Sequence, residues 1–235
     1  MYGFSIPYLV ITVGSMAIGW FVSNRLKNKF AQYSRTSLMS GFSGKEIAEK
    51  MLRDSGIYDV SVICVEGRLT DHYNPMDKTV NLSQDVYHGR NAAATAVAAH
   101  ECGHAVQHAT AYSMLKFRST LVPLQNIASR MINILAFASI FAGLSFGLLG
   151  DTILLGIIAA YAVFTLFSMV TLPVEFDASR RALQWISSHG VVTDKEYQMS
   201  KDALFWASMT YVVAALSALA TLLYYVMIFL NRSDD

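Results

Sequence analysis

Residues 99–105 read AHECGHA and place two histidines, His100 and His104, four positions apart, with Glu101 directly after the first. On an α-helix, residues four apart lie on the same face, so the two imidazoles can bind one metal ion. Glu101 would be rotated by about 100° from His100. Its carboxylate could then reach a zinc-activated water, accept the proton and pass it to a leaving amine. The spacing therefore predicts a hydrolytic zinc centre with Glu101 as general base.

Two neighbouring side chains are less suited to bind the metal. Cys102 is two positions from each histidine and points roughly to the opposite side of a helix, so we interpret it, with Gly103, as a small residue that permits close packing. His108 continues the four-residue spacing, but a fourth ligand would close the position that water needs. We expect His108 to lie beside the site or on the surface.

A catalytic zinc usually has three protein ligands and one open position. Residues 172–182 read LPVEFDASRRA and are predicted to begin a helix with Pro173 in its first turn. Glu175 is the preferred third ligand because it would emerge on the same membrane face as the histidines, and Asp177 is the alternative. A further alternative is that both acids only favour a helix N-terminus electrostatically.

The composition is that of a membrane protein: 54% of the 235 residues are hydrophobic and 15% are charged. A membrane-crossing helix needs about 20 mostly apolar residues. Suitable stretches run from about Ile6 to Val22, from Met131 to Leu172, and from Leu204 to Leu230. The middle stretch is long enough for two crossings and contains a turn signal at Gly150-Asp151. The sequence thus predicts four transmembrane helices.

The basic residues predict how these helices are oriented. Of the 18 Lys and Arg residues, only Arg232 lies outside segments 24–130 and 173–203. Lys and Arg collect on the cytoplasmic side of membrane proteins, so both segments should be cytosolic and both termini outside. Basic residues follow the first span and none precedes it, which favours a retained anchor over a cleaved signal. A net charge of +1 gives no reason to expect nucleic acid as a partner.

The cytosolic segments contain signals for a small α+β unit. Ser43 and Glu46 form a capping box at the start of a helix that should end near Gly56. Strands are predicted at Tyr58–Val65, Leu69–Tyr73 and Lys78–Leu82, the last two joined by a turn. A long helix over Asn91–Thr110 carries the two histidines.

At these motifs the chain resembles the membrane zinc metallopeptidases of the YugP type and, more distantly, the HtpX and CAAX-prenyl protease group. The first resemblance covers most of the chain, including residues 71–75, DHYNP. The second covers only HECGH, the hairpin and EFDAS. The distant group binds zinc with HExxH and the first Glu of a downstream E-x-x-A-D helix, so the resemblance implies a zincin-like cytosolic domain with Glu175 as third ligand. Where that group has Asp, this chain has Ser179, so Ser179 or Asp177 is expected to orient a ligating histidine.

The expected fold is a mainly α integral membrane protein with four transmembrane helices and a small α+β cytosolic zinc-peptidase domain. The predicted segments are an anchor at 1–23, a cytosolic part with the metal helix at 24–130, a two-span hairpin at 131–172, a cytosolic helix with the third ligand at 173–203, a fourth span at 204–230 and a tail at 231–235.

Further residues are candidates for transition-state or substrate binding. Tyr197, Arg180 and Arg181 could stabilise an oxyanion, although the two arginines could equally be solvated or contact lipid phosphates. The segment Lys78–Leu82, with Lys78, Thr79, Val80 and Asn81, could be an edge strand that pairs with an extended substrate. The alternative is a strand covered by its neighbour.

The predicted function is a membrane-embedded zinc metalloendopeptidase with one Zn²⁺ per chain, in a bacterial inner or cell membrane, cleaving membrane-proximal or unfolded protein segments. Its partners would be protein or peptide substrates and the lipid bilayer. The alternative is a non-catalytic zinc-binding scaffold or regulatory membrane protein, in which Glu101 would have no use. A small transporter is disfavoured because no intramembrane charge marks a transport path. Imidazole and carboxylate ligands suit several divalent ions, so the sequence leaves the metal's identity open.

Overall fold

The computed structural model describes residues 6–141 and 150–232, which are mostly helical. In chain order the elements are α1 Ile6–Tyr33, α2 Gly44–Asp54, β1 Ser61–Val65, β2 His72–Asn74, β3 Thr79–Ser83, α3 Gln84–Tyr87, α4 Ala92–Ala109, α5 Ser113–Phe141, α6 Gly150–Ser188 and α7 Asp194–Arg232.

The chain divides into two compact units. One consists of the chain up to Phe21, Phe117–Leu172 and the chain from Thr210 onward. The other consists of Val22–Lys116 and Pro173–Met209 and holds the three strands, α2, α3 and α4. We call this second part the site unit, because it contains both predicted metal motifs.

The site unit has a hydrophobic core between α2, the sheet, α4 and the later part of α6. Ile47 of α2, Leu82 of β3 and Ile186 of α6 are completely buried in it. The predicted capping box begins α2: the Ser43 hydroxyl accepts from the Glu46 N–H at 3.3 Å, and the Glu46 carboxylate accepts from the Ser43 N–H at 2.7 Å. This pairing satisfies amides that the first turn of a helix leaves without partners.

The three strands form one sheet in the order β1-β3-β2. β1 and β3 are parallel, and β2 and β3 are antiparallel with Tyr73 opposite Val80. The hairpin-like pair predicted on either side of residues 74–77 is confirmed. The expectation that Lys78–Leu82 is an edge strand is wrong, because β3 is the central strand and is paired on both sides. Val80 and Leu82 alternate with Asn81 on a strand that is almost wholly buried, so Thr79, Val80 and Asn81 do not offer a free backbone edge.

Helix α4 has the bounds that the sequence indicates. Asn91 caps its first turn by accepting a hydrogen bond from the Ala94 N–H at 2.9 Å. Its alanines from Ala92 to Ala105 are buried, so a helix with very little side-chain bulk packs against the neighbouring elements of the site unit.

Helix α6 corrects two expectations. It begins at Gly150, so Gly150-Asp151 is helical, and it runs without interruption to Ser188. The predicted helix start at Pro173 is therefore wrong, and this proline lies inside the helix. Proline has no N–H to donate, but apolar membrane helices tolerate it where nearby groups satisfy the backbone.

Three described helices are long and apolar enough to cross a membrane: Ile6–Tyr33, Thr152–Ser188 and Asp194–Asn231. The remaining predicted span, which begins near Met131, extends into residues 142–149, outside the described part of the chain. The first span also continues as a helix beyond its predicted end at Val22. In the site unit this extension is joined to α7 by an ion pair between Lys29 and Asp202 at 2.8 Å.

Candidate metal centre

Helices α4 and α6 bring three metal-binding side chains together. His100, His104 and Glu175 each offer one ligand atom, and these atoms lie within 4.8 Å of one another. The Glu175 Oε2 is 3.3 Å from the His100 Nε2 and 3.6 Å from the His104 Nε2. Among residues 6–141 and 150–232 these are the only three such side chains grouped in this way.

The donor set fits a zinc ion. Two imidazole nitrogens and one carboxylate oxygen are the ligands found in one common class of catalytic zinc site, where they leave a fourth position open. Glu175 is 2% exposed and sits between two imidazoles. A buried carboxylate facing two nitrogen ligands is a site that a divalent cation would stabilise.

Close helix packing holds the two halves of this site together. A side chain at Gly103 would place its Cβ 2.5 Å from the Ala178 carbonyl oxygen of α6. Only glycine fits at such a backbone-to-backbone contact. Gly103 lies between the two histidines in sequence, so the helices approach closely at the level of the metal-binding side chains.

Each histidine also has a partner for its other ring nitrogen. The His100 Nδ1 lies 3.1 Å from the Ser179 hydroxyl. The His104 Nδ1 lies 3.0 Å from the Gln107 Oε1. Such contacts fix the orientation of imidazoles that bind a metal through the opposite nitrogen.

Electrostatics at His104 reflect the surrounding carboxylates. Burial lowers the pKa of His104, but the neighbouring Glu175 carboxylate and the charge of Glu101 outweigh it, so the pKa lies above its ordinary 6.5. Glu101, which follows His100 directly in the sequence, is not one of the three grouped ligands.

Glu101 is held by the sheet. Its carboxylate is almost buried and accepts a hydrogen bond from the Tyr73 backbone N–H of β2 at 3.0 Å. β2 is an edge strand of the sheet. The contact with Glu101 shows that this edge strand lies beside α4.

Asp177, the alternative ligand, is not in the metal-binding group. Its carboxylate accepts from the Gln107 Nε2 at 2.9 Å, from the Arg181 Nε at 2.6 Å and from Arg180. Both arginines that were considered for oxyanion binding therefore contact Asp177. Arg181 also lies over the Tyr112 ring, with 5.9 Å between its guanidinium carbon and the ring centroid.

Three further predicted residues lie in other surroundings. The His108 Nδ1 is 2.7 Å from the Tyr73 hydroxyl, and the His108 side chain is exposed. Tyr197 packs against the hydrophobic core of the site unit. Lys78 forms an ion pair with Asp59 at 2.6 Å.

Sequence reasoning missed two groups at this site. Gln107 was not considered, although it lies three positions after His104 and seven after His100, which places it on the same helix face. The Tyr73 N–H could not be found from side-chain chemistry, because a backbone amide carries no sequence signal.

Comparison with known proteins shows which family the chain belongs to. The family described as "Putative neutral zinc metallopeptidase" has a model that matches residues 8–230. The chain belongs to this family. It is also 40% identical over 228 residues to the "Putative membrane protease YugP" of Bacillus subtilis (strain 168), a match that covers 97% of this chain and 99% of that protein. No solved structure matches the chain.

Membership in this zinc metallopeptidase family supports a protease function and zinc as the metal. The three candidate spans and the similarity to a membrane protease support association with a membrane. The resemblance to the YugP type, derived from HECGH and EFDAS, is confirmed.

Proposed function

We propose that the chain is a membrane zinc metalloendopeptidase in which His100, His104 and Glu175 hold one zinc ion and Glu101 is the general base. The observation that carries this proposal is the arrangement around the cluster. Three ligand atoms lie within 4.8 Å of one another, and Glu101, which follows His100 on α4, is almost buried without being one of the three. A catalytic site needs this combination of three ligands and a separate base.

The chain's own residues can carry the proton transfers of peptide hydrolysis. When bound, zinc would polarise the scissile carbonyl and acidify a water molecule. The Tyr73 N–H fixes one oxygen of Glu101. The carboxylate can then accept the proton of the attacking water and deliver it to the departing amine. Ser179 and Gln107 keep the imidazole rings turned so that each Nε2 faces Glu175.

The location of the site suggests the substrate. The metal-binding residue Glu175 lies within Thr152–Ser188, one of the helices apolar enough to cross a membrane. A site this close to a span favours protein segments that are already tethered at the bilayer or exposed there in an unfolded state. We propose such segments as substrates, with the site unit in the cytosol as the distribution of Lys and Arg predicts.

The experiment compares Glu101→Gln with wild-type protein purified in detergent. The variant should keep about one zinc per chain, measured by atomic emission, and lose at least about 100-fold in cleavage of casein, as expected for removal of a general base. Glu175→Ala should lose the zinc itself. Glu66→Gln, which changes an exposed carboxylate between β1 and β2, is the matched control and should retain both.

Each outcome separates the two functions considered. Full cleavage by Glu101→Gln would show that this carboxylate is not the base. A wild-type protein that holds zinc but cleaves neither casein nor membrane-tethered reporter proteins would favour the zinc-binding scaffold instead.

A further inference from the structure

Gln107 is a fully buried polar side chain on α4, one turn after His104. Its Nε2 donates to the Val174 carbonyl at 2.8 Å and to the Asp177 carboxylate at 2.9 Å. Its Oε1 lies 3.0 Å from the His104 Nδ1. All of its principal hydrogen-bonding capacity is therefore used inside the protein.

These partners determine which way the amide faces. A backbone carbonyl oxygen can only accept a hydrogen bond, so the Val174 carbonyl must face the NH₂ group of Gln107, as the Asp177 oxygen also does. The Gln107 oxygen must then face His104. Because an amide oxygen only accepts, the His104 Nδ1 must carry the proton, so the Nε2 on the side of Glu175 is the nitrogen that a metal ion would bind.

Asp177, which accepts a hydrogen bond from Gln107, is itself held in place. Asp177 is 6% exposed and is bound by two guanidinium groups, those of Arg180 and Arg181. Guanidinium groups can only donate, so the oxygens of the Asp177 carboxylate act as hydrogen-bond acceptors here.

His100 has a different environment. Its Nδ1 faces a hydroxyl, that of Ser179, which can donate or accept. That contact orients the ring but does not select a tautomer. Among the described residues of the site, the amide of Gln107 is thus the contact that selects one.

We propose that Gln107 is a positioning residue that holds His104 as the tautomer protonated at Nδ1, ready to bind metal through Nε2, and that Asp177 acts on the metal centre through Gln107. This inference rests on the proposed metal site and adds a residue that determines its affinity.

The test measures zinc affinity of full-length protein in detergent by competition with a chromogenic chelator. Gln107→Met keeps an unbranched side chain of similar size but cannot form the three contacts. Its zinc dissociation constant should rise about 10- to 100-fold, the usual effect of removing a partner of a ligating histidine. The Co²⁺-substituted variant should also show shifted d–d absorption bands, because a reoriented imidazole changes the coordination geometry.

Ser200→Ala is the matched control. Ser200 is also completely buried and donates to the backbone of α4, to the Ala92 carbonyl at 3.2 Å, far along the helix from the metal-binding residues. This variant should lower the thermal unfolding midpoint without changing zinc affinity or the cobalt spectrum. If Gln107→Met behaves like Ser200→Ala, Gln107 is only a packing residue and the proposal is wrong.

A second measurement does not depend on any variant folding. In wild-type protein labelled with ¹⁵N-histidine and loaded with zinc, two-bond ¹H–¹⁵N correlation spectra should show His104 protonated at Nδ1. A His104 protonated at Nε2 would overturn the proposal even though the protein binds zinc. A wild-type protein that takes up no zinc would instead overturn the metal site itself, so the two failures are distinguishable.

Discussion

At the scale of single residues, the two ligating histidines are supported by groups of different strength. His100 has the neutral hydroxyl of Ser179, whereas His104 has an amide backed by the ionised Asp177. A stronger acceptor at Nδ1 makes an imidazole a better ligand. The contact at the His100 Nδ1 is therefore the weaker of the two, and a stronger acceptor there should raise zinc affinity.

Changing Ser179 should alter zinc affinity in both directions. Ser179→Ala removes the contact with His100 and should weaken zinc binding up to about 10-fold, the low end for such partners. Ser179→Asp offers a carboxylate to the same Nδ1 and should restore or tighten binding. Isothermal titration in the presence of a competing chelator checks both. If Ser179→Ala binds zinc as tightly as wild type, the 3.1 Å contact does not contribute to the site.

How far the sequence predicts this site depends on the kind of signal each residue leaves. The spacing of His100, Glu101 and His104 is set by the helix itself, so their shared face could be predicted from sequence. Gln107 also has helical spacing relative to the histidines, but amide side chains are common on helices. Its role as a link to His104 becomes visible only when the structure places Asp177 of α6 beside it. The Tyr73 N–H depends on the register of β2, which the sequence leaves open.

At the scale of elements, the close approach of α4 and α6 sets the distance between the histidines and Glu175. Gly103 and Gln107 are four positions apart on α4, and they meet Ala178 and Val174, which are four positions apart on α6. The two helices thus share one contact stripe. Any side chain added on this stripe would separate the two halves of the site.

Gly103→Ala should therefore destabilise the protein and weaken zinc binding together. The new methyl group would meet the Ala178 backbone at 2.5 Å, which no rotamer change can relieve. Overpacking of this kind costs about 1–3 kcal/mol. Thermal unfolding and zinc content of the purified variant are the measurements.

The control for Gly103→Ala is Gly156→Ala on α6, where the nearest atom to the new Cβ is 3.9 Å away. That change should leave zinc content unaltered and should be neutral or slightly stabilising, because Ala favours helices over Gly. A Gly103→Ala protein with normal zinc content and stability would show that the helices can separate without harm.

The capping box of α2 should make stability depend on pH in the acid range. Hydrogen bonds from the backbone N–H and hydroxyl of Ser43, with the Arg90 charge, hold the pKa of Glu46 below its ordinary 4.5. A lowered pKa in the folded state stabilises the protein above the unfolded-state pKa, and this stabilisation is lost as the pH falls through the folded-state value. Glu46→Gln should thus unfold at a lower temperature than wild type at pH 7, and the difference should shrink below pH 4.5.

Differential scanning fluorimetry from pH 7 to pH 3.5 is suited to this comparison, with Glu66→Gln as the control for loss of one exposed negative charge. A constant difference between wild type and Glu46→Gln across this range would mean that ionisation of Glu46 does not stabilise α2.

Elements with local signals were predicted well, and elements set by distant contacts were not. The capping box and the Asn91 cap are formed by residues within one turn, so the starts of α2 and α4 followed from sequence. Pro173 gives a strong local signal for a helix start, but the surrounding apolar helix continues through it. The central position of β3 arises from a parallel crossover to β1, a long-range pairing that strand patterns do not specify.

At the scale of the whole molecule, hydropathy and the positions of charged residues give different information. Length and apolar character identify three described helices able to cross a membrane. They do not say which side the site unit faces. The concentration of 17 of the 18 Lys and Arg residues in segments 24–130 and 173–203 predicts the cytosol.

The two native cysteines allow this orientation to be tested. Cys64 is exposed on β1, whereas Cys102 is completely buried on α4 and burial raises the pKa of its thiol well above 9.0. A thiol reacts with maleimides as the thiolate, so Cys64 alone should be modified in folded protein. A membrane-impermeant maleimide should leave Cys64 unlabelled in intact cells and label it once the cells are permeabilised.

A cysteine on the opposite side completes the experiment. Ser233→Cys, introduced together with Cys64→Ser, should be labelled in intact cells because the C-terminus is predicted to be outside. Denaturation in detergent should then expose Cys102 as a second reactive thiol. Labelling of Cys64 in intact cells, with Ser233→Cys protected, would mean that the basic residues face outward. The site unit would then act on extracytoplasmic rather than cytosolic protein segments, because the metal-binding residues belong to the same compact unit as Cys64.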